Sequence, residues 1–368
     1  EIFCQGGPSF VTAVQSLMLK NGFKQAERGE YTFRAYINGK TDLTKAEAVK
    51  EIIESHTDAS RGRACGRLAG SLYEEIDSIK KLIIDTLAAI EVEIEYPEDE
   101  ETIADSFDSS DIKKARDRLQ SLADSWKGEK LYQDGARVVL CGRTNAGKSS
   151  LFNAILKEER AIVSDIEGTT RDFLESWASF DGIPVRLFDT AGLRKTEDVI
   201  EAQGVEITKN LSTDADVILY LIDSTCGITE DDKAFLSKCT ESVVLVWNKS
   251  DSEQSCTDND FSNFPYVKSQ VHISAKQGTG LSDLYREVKA VLTSGLSTER
   301  TQAGLGSERQ KNAVEEALEC VEHALVSAED NYTLDAVVQD LEDCLESLGI
   351  VTGEVTPDDV MGSIFANF

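Results

Sequence analysis

The chain predicts a multidomain protein of α/β and α+β class in which a parallel-sheet domain interrupts a helical one. Three observations carry that expectation. Short apolar runs, Val138 to Cys141, Val185 to Phe188, Val217 to Ile222, Val243 to Trp247 and Val271 to Ile273, alternate with helix-length segments between residues 136 and 294. Continuous apolar strands of that kind belong to a sheet covered on both faces. Upstream, Leu68, Leu72, Ile76, Ile79, Ile83, Leu87 and Ile90 recur at steps of three and four, which lays one apolar stripe along a helix. Beyond a Gly/Ser/Thr-rich stretch from Thr293 to Gly306 the same periodicity returns. One seam is Val314, Leu318, Val321 and Leu325; the other is Leu334, Val338, Leu341, Leu345 and Leu348.

At 368 residues the chain exceeds one ordinary core. Its textures divide it into residues 1–43, 44–133, 134–295 and 296–368. The first of these mixes short β-like stretches with Gly-rich punctuation. The opening Glu1-Ile2-Phe3-Cys4 has neither a signal-peptide pattern nor an initiating Met, so a piece of a longer protein is expected. The balance of 38 basic against 67 acidic residues leaves −29, a field that repels phosphate backbones and anionic lipid at long range. Nucleic acid would then have to be held by a partner or a small local patch. No apolar run approaches the roughly 20 residues of a membrane span. Eight cysteines without CxxC spacing fit reduced thiols in a cytosol-like compartment. His56, His272 and His323 sit beside no motif, so histidine chemistry has no support.

Gly142-Arg143-Thr144-Asn145-Ala146-Gly147-Lys148-Ser149 fits GxxxxGK[ST], after an apolar strand and before a helical segment with Leu151, Phe152 and Ile155. That context is what a phosphate-binding loop requires. Backbone N–H groups around Ala146, Gly147 and Ser150 can wrap a phosphate at a helix N-terminus. Lys148 can bridge β- and γ-phosphates, and the Ser149 hydroxyl can ligate Mg²⁺. Further motifs follow in order. Gly168-Thr169-Thr170 offers Thr170 to Mg²⁺ and the γ-phosphate. Asp189-Thr190-Ala191-Gly192 offers a carboxylate for a metal-bound water and an N–H for the γ-phosphate. Asn248-Lys249-Ser250-Asp251 supplies a carboxylate that accepts from guanine N1 and N2, a donor pair adenine lacks. Ser274-Ala275-Lys276 backs the base. The ordered set points to a Ras-like P-loop domain that binds and hydrolyses GTP.

In-line attack needs a positioned water and neutralised charge on the β–γ bridge. Leu193, right after Gly192, cannot orient water, and no arginine finger is assignable. Glu201 is a candidate to do so through a second water; its residue type alone reads more readily as a solvated helix charge. Asn145 can offer an amide oxygen to a monovalent cation, or can simply tolerate a tight turn.

The runs GRTNAGKSSLFNAIL, SDIEGTTRD and DTAGLR, with Glu201 downstream, resemble the MnmE (TrmE) family of tRNA-modification GTPases. So do the segment from Arg28 to Ala35 with Asn38-Gly39-Lys40, the segment Glu1 to Pro8, and the end of the chain from Gly349 to Phe368. The resemblance implies a β-rich N-terminal domain, incomplete here, that binds 5-formyl-tetrahydrofolate or a related one-carbon folate and mediates homodimerisation. It also implies a discontinuous helical domain and a G domain inserted in it, activated by K⁺. The expected partner is the flavoprotein MnmG, in a heterotetramer-type complex that modifies C5 of the wobble uridine of certain tRNAs. tRNA would be held mainly through that partner, in the cytoplasm, with no membrane. Residue by residue, Asn145, Ser164, Ile166 and Thr169 correspond to the potassium site and Ser149 and Thr170 to magnesium. Glu201 corresponds to the catalytic glutamate, beside Lys148. Asp165, Glu167 and Gly168 fall in the nucleotide-binding segment, and Glu1 and Lys40 at folate-contacting positions. Gln5 stands where the family has histidine, and the family's terminal Cys-Ile-Gly-Lys lies beyond Phe368. A ribosome-assembly GTPase shares the leucine after DTAG, but usually carries a basic RNA-binding domain that a net charge of −29 does not suggest.

Overall fold

In this computed structural model the described residues are 2–95, 109–158, 174–189, 214–252, 261, 264–296, 303–329, 334–355 and 364. The helices that precede the sheet are α1 (Pro8–Lys20), α2 (Glu30–Ile37), α3 (Leu43–Glu54), α4 (Asp58–Ala69), α5 (Ser71–Glu95) and α6 (Ser110–Asp134). The sheet domain runs β1 (Ala136–Gly142), α7 (Lys148–Glu158), β2 (Leu174–Phe180), β3 (Ile183–Asp189), β4 (Val217–Asp223), α8 (Glu230–Leu236), β5 (Ser242–Asn248), β6 (Val267–His272) and α9 (Leu281–Leu292). Then come α10 (Glu308–Glu329) and α11 (Leu334–Thr352).

The stretch expected to be β-like carries α1 and α2, and no strand precedes β1 among the described residues. Pro8 in the first turn fixes a helical φ where its missing N–H is not needed. No Gly or Pro follows before the Asn21 cap. In α2 the alternation Tyr31, Phe33, Ala35 mimics a strand, yet a Glu30–Arg34 ion pair at 2.6 Å spans one helical turn.

The sheet has order β2-β3-β1-β4-β5-β6, parallel except for β2 against β3. β1 is central, with Val138 paired to Leu187 of β3 and Val217 of β4. Val138 and Leu140 join one cluster with Leu151 and Ile155 of α7 and Leu284 and Val288 of α9. Val139 and Cys141 point to the other, with Ile218, Trp247 and Leu236 of α8. Both faces are therefore covered, as continuous apolar runs require.

α5, α6, α10 and α11 share one core. Ile76, Ile79 and Ile83 meet Leu119, Val314, Val321, Leu341 and Leu348, all buried. Helices from before and after the sheet thus close on each other, and the sheet domain interrupts them. Leu68 departs from its expected seam: α4 ends at Gly70, in the left-handed region (φ 111°), and leaves Leu68 39% exposed, while the stripe begins at Leu72.

A buried charge network ties the same halves together. Arg67 donates from Nε to Glu51 at 2.8 Å and from Nη1 to Glu129 at 2.9 Å. Glu47 accepts from Arg309 Nη2 at 2.8 Å and from Gln310, which is fully buried. Gly304 and Gly306 pack on it, since a Cβ at Gly306 would lie 2.1 Å from Glu51 Oε1. Burial works against the Arg67 charge, but the Glu51 and Glu129 carboxylates hold its pKa above the ordinary value. Burial pushes the Glu51 carboxyl up to about 7 in spite of Arg67. A raised acid favours the fold most below its unfolded value near 4.5, and that stabilisation is lost as pH rises through about 7. Glu51→Gln is therefore expected to flatten the decline in melting temperature between pH 4.5 and 7, removing a dependence on the order of 2 kcal/mol. Calorimetric scans across that range check this, and an unchanged slope contradicts it.

Candidate nucleotide site

Each parallel strand delivers one part of the site at its carboxyl end, where open α/β sheets bind ligands. β1 ends in Gly142, β3 in Asp189, β4 in Asp223 and β5 in Asn248, and Ser274 follows β6.

Between β1 and α7 the loop turns through positive φ at Gly142 (129°), Asn145 (63°) and Gly147 (99°), which turns N–H groups toward one concavity. Two positions demand glycine. A Cβ at Gly142 would lie 2.4 Å from the Leu221 carbonyl oxygen, and one at Gly147 2.1 Å from Asn248 Nδ2. α7 begins at Lys148, so its unsatisfied first-turn N–H groups and the positive end of its dipole serve an anion there. Lys148 is 8% exposed, and its Nζ donates to the carbonyls of Gly142 and Arg143, each at 2.8 Å.

Ser149 Oγ donates to Asp189 Oδ2 at 3.0 Å. The fold thereby unites a hydroxyl and a carboxylate from motifs 40 residues apart, a pair of oxygen donors suited to a hard divalent cation. Ser150 is exposed on α7.

Asn248 fastens the parts. Its Nδ2 donates to the Ala146 carbonyl at 2.9 Å, its Oδ1 accepts from the Ala275 N–H at 3.0 Å, and it is 3% exposed. Sequence reasoning grouped Asn248 with the base-reading residues; its tie to the phosphate loop emerges only from the fold. Lys249, at φ 65°, pairs its ammonium with Asp223. Burial tends to raise the Asp223 pKa, but hydrogen bonds from Lys249 and Thr225 hold it below the ordinary value. Asp223 escaped the sequence reading; its one signal was an acid at the end of an apolar strand. The exposed Asp251 carboxylate is held below its usual pKa, foremost by a hydrogen bond from Ser274. It is a fixed anion, able to accept from two N–H groups of a base. Ser274 is fully buried and turns the loop through Gln277 N–H at 3.2 Å, which sets Ala275 and Lys276 beside it.

The expected residues Ser164, Asp165, Ile166, Glu167, Gly168, Thr169, Thr170, Thr190, Ala191, Gly192, Glu201 and Glu1 lie outside the described residues. Lys40 is exposed after α2, its N–H closing on the Ala35 carbonyl at 2.8 Å.

Two family models match the chain: MnmE helical domain over residues 43–368, and GTP-binding protein TrmE N-terminus over residues 1–40. Curated relatives match along its whole length. The tRNA modification GTPase MnmE of Treponema denticola is 46% identical over 378 residues, covering 100% of this chain and 80% of the relative. Proteins of the same name from Borrelia turicatae and Carboxydothermus hydrogenoformans are each 38% identical over 100% of this chain and 80% of their own length. With a family model spanning most of its length and relatives this similar from end to end, the chain belongs to the MnmE family.

Proposed function

We propose that this chain is a GTP hydrolase acting in tRNA modification, its turnover activated by potassium. The observation that carries the reading is the Asn248 side chain, which joins the phosphate loop at Ala146 to the base-backing loop at Ala275. One rigid frame then presents a phosphate cradle at one end and the Asp251 carboxylate at the other, spaced by the same sheet edge.

In this reading, residues 134–295 form the G domain, residues 44–133 and 296–368 the helical domain, and residues 1–43 part of the folate and dimer domain. Lys148 carries positive charge to the β- and γ-phosphates, and the backbone of Ala146 to Ser150 donates to them. Ser149 and Thr170 would hold magnesium, with the Asp189 carboxylate that accepts from Ser149 as a further oxygen donor; the metal would neutralise phosphate charge. Gly168, Thr190, Ala191 and Gly192 line the γ-phosphate side, with Asp165 and Glu167 in the preceding segment. Asn248, Lys249, Asp251, Ser274, Ala275 and Lys276 hold guanine. Asn145, Ser164, Ile166 and Thr169 would supply oxygens to potassium, whose charge would take the part of an arginine finger. Glu201 orients the attacking water indirectly. Glu1 and Lys40 contact a one-carbon folate. The chain works as a homodimer with the flavoprotein MnmG, which brings most of the tRNA contact to the wobble uridine, in the cytoplasm. No helix among the described residues is long and apolar enough to cross a membrane.

Replacing Na⁺ by K⁺ at constant ionic strength is expected to raise kcat for GTP by about tenfold or more, the scale of one well-placed charge. Asn145→Lys is expected to abolish that rise. Equal rates in both salts dispose of the cation mechanism, and ATP turned over as fast as GTP disposes of the guanine reading.

A further inference from the structure

The β2–β3 hairpin touches both the nucleotide site and the helical domain. β2 begins at Leu174, directly downstream of the segment holding Thr169 and Thr170, and β3 ends in Asp189, which accepts from Ser149. The strands pair in unbroken register from Leu174 with Asp189 to Phe180 with Ile183. Seven such pairs make a ribbon of about 20 Å. Asp181 (φ 50°) and Gly182 (φ 92°) close it, two positive-φ residues whose turn matches the strand twist and keeps the ribbon from splaying.

Its far end is gripped from two sides. Thr57, capping α4, donates its hydroxyl to the Gly182 carbonyl at 3.0 Å. Lys289 of α9 donates to Asp181 at its carboxylate (2.7 Å) and its carbonyl (3.0 Å). Midway, His56, in the α3–α4 connection, lies flat on Trp177 with ring centroids 3.7 Å apart and planes at 17°. The Arg186 guanidinium, from the residue paired with Trp177, sits 5.2 Å from the indole centroid. Trp177 also abuts Gly135, the joint between α6 and β1: with φ 71°, a Cβ there would come within 2.5 Å of Trp177 Cζ3. One indole therefore meets two segments of the helical region, the α3–α4 connection at His56 and the α6–β1 joint at Gly135. Burial, reinforced by Arg186, pushes the His56 imidazole below its ordinary pKa, which favours the uncharged ring in the stack.

We propose that this hairpin is a lever through which the nucleotide site and the helical domain sense one another, with Trp177, wedged between His56 and Gly135, as its bearing. A shift at Asp189 moves a stiff ribbon whose body leans on the α6–β1 joint, and the helical domain in turn sets where Asp189 rests. His56 and Thr57 are positioning residues for hydrolysis, acting through the hairpin. The proposal rests on the GTPase reading and adds the route by which that site is regulated.

The test uses the full chain. The emission of wild type minus that of Trp177→Phe isolates Trp177 from the chain's other two tryptophans. This difference is expected to change when GDP is exchanged for a non-hydrolysable GTP analogue. His56→Ala is expected to remove most of that change and to alter kcat about fivefold, with KM held within about twofold. His56→Phe, which keeps a flat ring on the indole, is expected to restore both, and circular dichroism shows whether each variant folds. Guanine nucleotide that binds while Trp177 emission stays constant, or His56→Ala with wild-type kcat, overturns the lever alone. Absence of nucleotide binding in the wild type overturns the GTPase reading and the lever with it.

Discussion

Lys148→Ala is expected to lower kcat/KM for GTP about 10²–10³-fold, the cost of removing one preorganised charged donor from a phosphoryl-transfer site. The environment of the ammonium sets that size. It is 8% exposed, held on the Gly142 and Arg143 carbonyls at 2.8 Å, and stands at the first residue of α7. Truncation takes away a cation that is itself shielded from water, where charge is worth more than in bulk solvent. It also leaves the Gly142 and Arg143 carbonyl oxygens without the ammonium they accept from. Lys148→Arg is expected to rescue little, because a planar fork does not fit between those two carbonyls. Steady-state hydrolysis, with affinity for a fluorescent GDP followed alongside, checks this. Loss of less than about tenfold would mean that the helix terminus and backbone amides carry most of the phosphate charge alone.

Arg67→Ala is expected to destabilise the helical domain by about 3–5 kcal/mol, the cost of breaking a buried pair and stranding its partner. Glu129 is 3% exposed, and its other cationic partner is Arg63. Glu51 loses the guanidinium that opposes its burial, and its Oε1 already lacks a hydrogen-bond partner. Urea unfolding followed by far-ultraviolet dichroism measures the loss. A change below about 1 kcal/mol would show that the carboxylates reach water once the guanidinium is gone.

Much of this architecture was legible in the residues. The β1, β4 and β5 runs are continuously apolar because both faces are covered, and the Val314 to Leu325 seam is buried throughout. β2 escaped notice because this edge strand mixes polar with apolar residues: Leu174-Glu175-Ser176-Trp177 contains no apolar run. α1 and α2 were misread because two glycine-punctuated segments of mixed residues show neither period clearly. In the site, motif spacing named Lys148, Ser149, Asp189 and Asp251. It did not reveal that Ser149 bonds Asp189, or that Asn248 bridges two loops, because such ties depend on neighbouring strand ends rather than on sequence distance. The Glu47–Glu51–Arg67–Glu129 network was equally hidden. Charged residues on amphipathic helices read as solvated, and Gly304 and Gly306 read as linker, until packing brings a backbone without side chains against Glu129 and Glu51.

The core shared by helices from either side of the sheet has a consequence for how the chain is made. Ile76, Ile83 and Leu119 leave the ribosome long before Val314 and Leu341 are translated. At about 5–20 residues per second, roughly 200 intervening residues keep those apolar faces waiting on the order of 10–40 s. The nucleotide-binding unit has all its strands within that interval and is free to fold first. Its folding brings the two flanking stretches of chain together and shortens the loop that the late helices must close. Birth of the helical core is thus hostage to the completion of its own insert.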